Sequence, residues 1–189
     1  KPSAVSESMA AQNIERPIKM SIGGAKENIG ANEIVIKPSW LGSRCELDVV
    51  AYVADGQQTS TERAVFSGQI SYRNATVTYD GSGNNQSLRV NLKGLSQSEK
   101  LTIYGYLDKS ADFSRPCVDI LDARTQSHLL SFDPDFSQNC GDKSLIIFGE
   151  VYWGRKNAAS DKQWIFKARG EFYAKGLEQI IKETGLPFE

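Results

Sequence analysis

After Pro17 the chain reads as short apolar stretches separated by Gly, Asn, Asp and Ser. Such runs with turn residues at near-regular intervals predict strands at 18–22, 34–37, 46–54, 63–67, 75–79 and 87–92, and then at 101–107, 117–121, 128–132, 144–153 and 163–173. The alternation is clearest from Leu47 to Val53, where the odd-numbered residues form one apolar face. A helical period enters only near the end. Leu177, Ile180 and Ile181 fall at i, i+3 and i+4, Glu178 precedes Lys182 by one turn, and Gly185 and Pro187 supply the stop. Many short strands and one late helix predict an all-β, two-sheet, mostly antiparallel β-sandwich with a C-terminal helix over 177–184. Phe148, Trp164, Phe166 and Phe172 are its expected aromatic core. Residues 1–16 are Ser- and Ala-rich with no sustained apolar period and read as a tail or linker, leaving 17–189 as the domain.

Composition narrows the function. With 22 Lys and Arg against 23 Asp and Glu the formal net charge is −1, which leaves no basic excess to neutralise a phosphate backbone and argues against nucleic acid. No apolar run approaches the roughly 20 residues that a spanning helix needs. The N-terminus lacks a charged-then-apolar leader pattern, and the opening at Lys1 suggests a piece of a longer protein. Three cysteines form no pair count, which favours a reducing compartment, so the expected location is cytoplasmic.

Catalytic parts are scarce. His128 stands alone, without a Gly-x-Ser-x-Gly elbow or a cysteine-protease context, and reads as a surface or turn histidine. Gly23-Gly24-Ala25-Lys26 and Gly81-Ser82-Gly83 miss the spacings of phosphate-binding loops and read as turns. Cys45, Cys117 and Cys140 lack Cys-x-x-Cys spacing and read as buried thiols. The expectation is a non-enzyme.

One acidic and amide-rich constellation stands out. Glu46 and Asp48 lie two apart on one predicted strand and so share a face. Asp80, Asn84, Asn85 and Gln86 stand in an 80–86 segment read as a loop between two strands. It is open to two readings: a Gly- and Asn-rich hairpin connection, or a source of oxygen ligands for calcium.

The second half carries a resemblance. Leu145-Ile146-Ile147-Phe148-Gly149-Glu150-Val151-Tyr152 precedes Trp164-Ile165-Phe166-Lys167-Ala168-Arg169-Gly170-Glu171-Phe172-Tyr173-Ala174-Lys175-Gly176-Leu177. This resembles the closing signature of the TerD family of tellurium-resistance and stress-response proteins. Glu46-Leu47-Asp48 is similar to that family's Asp-Leu-Asp strand, and Trp40 is placed like its Gly-Trp. The resemblance covers roughly 18–185. It implies a β-sandwich whose acidic loops bind calcium, a role in resistance to tellurite and other stresses, and no established catalytic activity. Carried over by position, Asp48 and Glu46 stand for the two strand carboxylates. The chain departs from the family at Leu41, where an Asp is usual, at Ser67-Gly68-Gln69, and over 81–86, where serine and amides replace carboxylates. Each lost carboxylate weakens attraction to a divalent ion. The expectation is therefore calcium binding at Glu46, Asp48, Asp80, Asn84, Asn85 and Gln86 with affinity on the order of 10⁻⁴–10⁻³ M. The alternative is a metal-free protein-interaction domain that engages an unknown protein partner.

Overall fold

The computed structural model describes residues 17–41, 47–56, 59–82, 85–106, 114–134 and 143–186. The strands are β1 (Ile18–Met20), β2 (Lys26–Asn28), β3 (Glu33–Leu41), β4 (Asp48–Asp55), β5 (Ala64–Val65), β6 (Ser71–Tyr72) and β7 (Val77–Ser82). They continue with β8 (Asn85–Asn91), β9 (Glu99–Tyr106), β10 (Ser114–Asp122), β11 (His128–Phe132), β12 (Leu145–Gly154) and β13 (Gln163–Tyr173), before helix α1 (Gly176–Thr184). One sheet runs β1-β11-β10-β3-β8-β7-β6 and the other β2-β13-β12-β9-β4-β5. All pairings are antiparallel except that of β1 with β11. This is the expected sandwich. The tail read over 1–16 lies outside the described residues.

Alternation sorts β4 between two cores. Leu47, Val49, Ala51 and Val53 enter the main core between the sheets, with Ile34, Ile36, Val90, Ile103, Phe148 and Phe166. Val50, Tyr52 and Ala54 face the other way into a second cluster with Tyr104, Leu145, Ile147, Ile180 and Leu186, roofed by α1. Of the expected aromatic core, Phe148 and Phe166 are fully buried, while Trp164 and Phe172 are partly buried and pack against it.

Three features fix α1 on its sheet. Ser144 Oγ accepts from Gly176 N at 2.9 Å at the helix start. At the far end Gly185 takes φ 69°, a left-handed cap that favours glycine, and donates to Ile181 O at 2.7 Å. Arg169 on β13 donates from two terminal nitrogens to Glu183, at 2.9 and 3.1 Å, the two-pronged geometry that planar guanidinium and carboxylate groups favour. Glu171 and Glu150 also contact Arg169, and its pKa is raised by the hydrogen bond to Glu183 above all.

The segments that differ from expectation carry little or no apolar periodicity. Strand β2, Lys-Glu-Asn, carries no apolar signal, yet its main chain pairs with β13 from Lys26 opposite Lys167 to Asn28 opposite Ile165. Strand β6 is only two residues long. Most of 80–86 is not a loop. Asp80 pairs with Ser87, Gly81 with Gln86 and Ser82 with Asn85, so the β7–β8 ladder continues as far as Ser82 and Asn85. The pairing needs glycine at 81, whose φ is 135° and whose hypothetical Cβ would lie 2.1 Å from Asn85 O.

Candidate functional site

The described candidate calcium residues, Asp48, Asp80, Asn85 and Gln86, sit at one end of the sandwich. Asp48 opens β4 and is half-buried, and Asp80 is exposed on β7. Glu46 and Asn84 lie outside the described residues. Strand alternation separates the two described carboxylates. Asp48 has the parity of Val50 and Tyr52 and faces the side covered by α1. Asp80 has the parity opposite to Val77 and Tyr79, whose side chains turn towards the main core. Tyr79 lies within electrostatic reach of both. Burial first, then Asp48 and Asp80, raise its pKa, because each negative charge opposes loss of the phenolic proton.

The amides play different parts. Asn85 is exposed at the start of β8. Gln86 is buried, and its Oε1 accepts the Val49 main-chain N–H at 2.9 Å, linking β8 in one sheet to β4 in the other. That oxygen is engaged in holding the sheets in register. Asp48 also lines a small apolar cavity of about 160 Å³ with Val50, Phe66, Tyr106, Leu177 and Ile180.

A calcium ion takes six to eight oxygens. The described candidates offer two carboxylates on opposite outer faces, the exposed amide of Asn85 and one amide oxygen already bonded. Among the described residues no group of three or more His, Cys, Asp or Glu is placed to hold a metal ion. By themselves they do not complete a calcium shell.

Other sequence candidates are placed as follows. His128 is exposed at the start of β11. Cys117 is half-buried with Sγ 2.8 Å from Ser39 Oγ, and burial raises its thiol pKa. Cys45 and Cys140 lie outside the described residues. Gly23 and Gly24 form a turn, and a Cβ on Gly23 would meet Arg169 O at 2.7 Å. No helix among the described residues is long and apolar enough to cross a membrane.

The sequence reading missed the most heavily bonded charged group, Glu99. Its signal was present: Glu99 has the same strand parity as Leu101 and Ile103, so its carboxylate is delivered to the buried face.

No curated protein and no solved structure matches the chain. A family profile described as TerD domain matches residues 12–183. Its span takes in both sheets and nearly all of α1, together with the Asp48 and Asp80 strands. The chain belongs to the TerD family.

Proposed function

We propose that this chain is a non-enzymatic stress-response module of the tellurium-resistance type, acting in the cytoplasm through a protein partner, with an attenuated calcium site at the Asp48 end. The observation that carries the attenuated site is the Gln86 bond. The Gln86 amide oxygen is committed to the β4 main chain, while Asp48 and Asp80 remain as the described charges. Amide and hydroxyl oxygens bring no net charge to offset the desolvation of a divalent ion. The family match supports the stress role, and the sparse catalytic inventory supports the absence of turnover. Calorimetric titration of calcium into the protein, with Asp48→Ala alongside, tests the site. Binding weaker than about 10⁻⁴ M that vanishes in the variant supports it, and submicromolar binding overturns it.

A second reading, a metal-free interaction domain, is favoured by the apolar cavity between Phe66, Tyr106 and Leu177, because Leu177 is an exposed large apolar residue on α1. No calcium binding in the same titration would favour it.

A further inference from the structure

Away from the Asp48 end, a second cleft is built from charged and hydroxyl side chains. Ser60, Arg63, Gln69, Ser71, Tyr72 and Arg73 line an open cleft of about 820 Å³, a volume suited to a small ligand. Beneath it the Glu99 carboxylate is fully buried. Arg73 grips it with both terminal nitrogens, Nη1 to Oε1 at 2.5 Å and Nη2 to Oε2 at 2.8 Å, and Ser96 N donates to Oε1 at 2.8 Å. Tyr72 donates its hydroxyl proton to Oε2 at 3.0 Å. One arginine therefore already neutralises Glu99.

Arg63 is the second cation on the same carboxylate. Its three hydrogen bonds, to Val53 O, Tyr72 Oη and Glu99 Oε2, all run from Nη1. Nε and Nη2 have no acceptor among the described residues, although the side chain is only 13% exposed. Two guanidinium groups on one carboxylate leave the cleft floor one positive charge in excess. Half-buried Asp55, whose charge acts on Arg73, and Glu62 on the rim partly offset that excess, and neither pairs with an arginine among the described residues.

The backbone that delivers Arg73 is strained. Arg73, Asn74 and Ala75 take φ values of 40°, 50° and 61°, three consecutive left-handed residues with no glycine among them. Thr76 pins the turn by donating from both N and Oγ1 to Arg73 O, at 3.0 and 2.7 Å. Such strain persists only where surrounding structure enforces it, and it clusters at ligand clamps.

We propose that this cleft is a binding site for a small oxyanion, a phosphate or carboxylate group, held by the Nε and Nη2 edge of Arg63, with Arg73, whose terminal nitrogens are engaged by Glu99, Tyr72 and Gly94, adding positive charge. A guanidinium fork matches either group by charge and geometry. The hydroxyls of Ser60 and Ser71 stand on the same cleft as further hydrogen-bonding groups.

The test titrates the protein with inorganic phosphate and, separately, succinate, against sodium chloride at matched ionic strength, following amide NMR shifts and the melting temperature. Saturable shifts centred on Ser71–Arg73 are expected, in the millimolar range or tighter. Ser71→Asp places a carboxylate in the cleft from an exposed edge position outside the Glu99 network, so the variant folds, and it should weaken binding at least tenfold. Glu62→Gln removes the rim charge and should tighten binding several-fold. Phosphate alone, succinate alone or both binding in this pattern supports the site and separates the two sources. The proposal is overturned if neither anion exceeds the chloride effect, or if Ser71→Asp leaves binding unchanged.

Discussion

The side-chain oxygen of Gln86 accepts the main-chain N–H of Val49 at 2.9 Å, and the two residues belong to strands of different sheets. The Tyr72–Glu99 bond also joins the two sheets, and the buried Gln86–Val49 bond sets how β8 lies over β4. A buried N–H left without a partner costs about 1–3 kcal/mol. Gln86→Leu keeps the apolar stem, removes the acceptor, and should destabilise the fold by about that amount. Urea denaturation checks it. An unchanged midpoint would mean that water or another group replaces the amide.

Glu99 should control acid stability. Burial on its own would raise its pKa, yet the Arg73, Ser96 and Tyr72 hydrogen bonds outweigh burial and hold it below the ordinary 4.5. A folded-state pKa below the unfolded one gives stability that is complete above the unfolded value. That stability is lost as pH falls through the folded value. The wild-type protein should therefore lose stability on acidification below about pH 4.5, and Glu99→Gln should lose less over that range while being destabilised by about 3 kcal/mol at neutral pH. Denaturation at neutral pH and at about pH 3 measures both. Parallel acid limbs in the two proteins would contradict the assignment.

How far the sequence exposes this structure depends on which atoms do the holding. Strands whose side chains fill a core were legible: β11 and β13 match the apolar runs at 128–132 and 163–173 from end to end. The odd residues of 47–53 are indeed the inner face. Strand β2 was not legible, because its Lys-Glu-Asn side chains contribute nothing to periodicity and its ladder to β13 is purely main-chain. The same reason hides the outer end of the β7–β8 hairpin. At the candidate site, the sequence identified Asp48 and Asp80 but not the faces they occupy, since one strand parity is meaningful only once its partner sheet is known. The Arg63–Arg73–Glu99 cluster was hidden by a separation of 36 residues between Arg63 and Glu99.

Gly81→Ala should be severe for a single methyl group. The φ of 135° lies where only glycine is comfortable, and the added carbon would fall 2.1 Å from Asn85 O across the hairpin. Opening the β7–β8 end costs at least about 2 kcal/mol. The melting temperature should fall by several degrees, and hydrogen exchange should quicken at Ser82 and Asn85 before the rest of the sheet. Uniform loss of protection would instead place the strain in the whole core.

Glu183 is the far end of the bond that holds α1 to β13. Its carboxylate accepts two hydrogen bonds from Arg169, and that pairing, ahead of the opposing effect of burial, keeps its pKa below the ordinary value. Glu183→Gln removes the charge, leaving Arg169 to Glu171 and Glu150, and should cost about 1 kcal/mol. Amides of α1 should exchange faster while those of β9 and β12 do not, because the helix docks on one face of a sheet that pairs without it. Equal acceleration in β12 would show that the helix and sheet unfold as one unit.

Calcium should stabilise this protein only slightly. Ligand binding to the folded state adds RT ln(1 + [L]/Kd). With Kd on the order of 10⁻⁴–10⁻³ M, millimolar calcium contributes about 0.4–1.4 kcal/mol. For a chain of this size the melting temperature should then rise by about 1–5 °C and return when a chelator removes the metal. Asp48→Ala should erase the increment. Asp161→Ala, which removes an exposed carboxylate from the β12–β13 connection, should leave it intact and so controls for loss of overall negative charge. Asp80→Ala discriminates further. Because Asp80 and Asp48 face away from each other, a shared ion would require the hairpin end to turn inward on binding, and loss of the increment in both variants would reveal that movement. Loss in Asp48→Ala alone would place the ion on the β4 side. A rise above about 10 °C would mean that serine and amide oxygens around Asp48 serve calcium far better than their lack of charge allows.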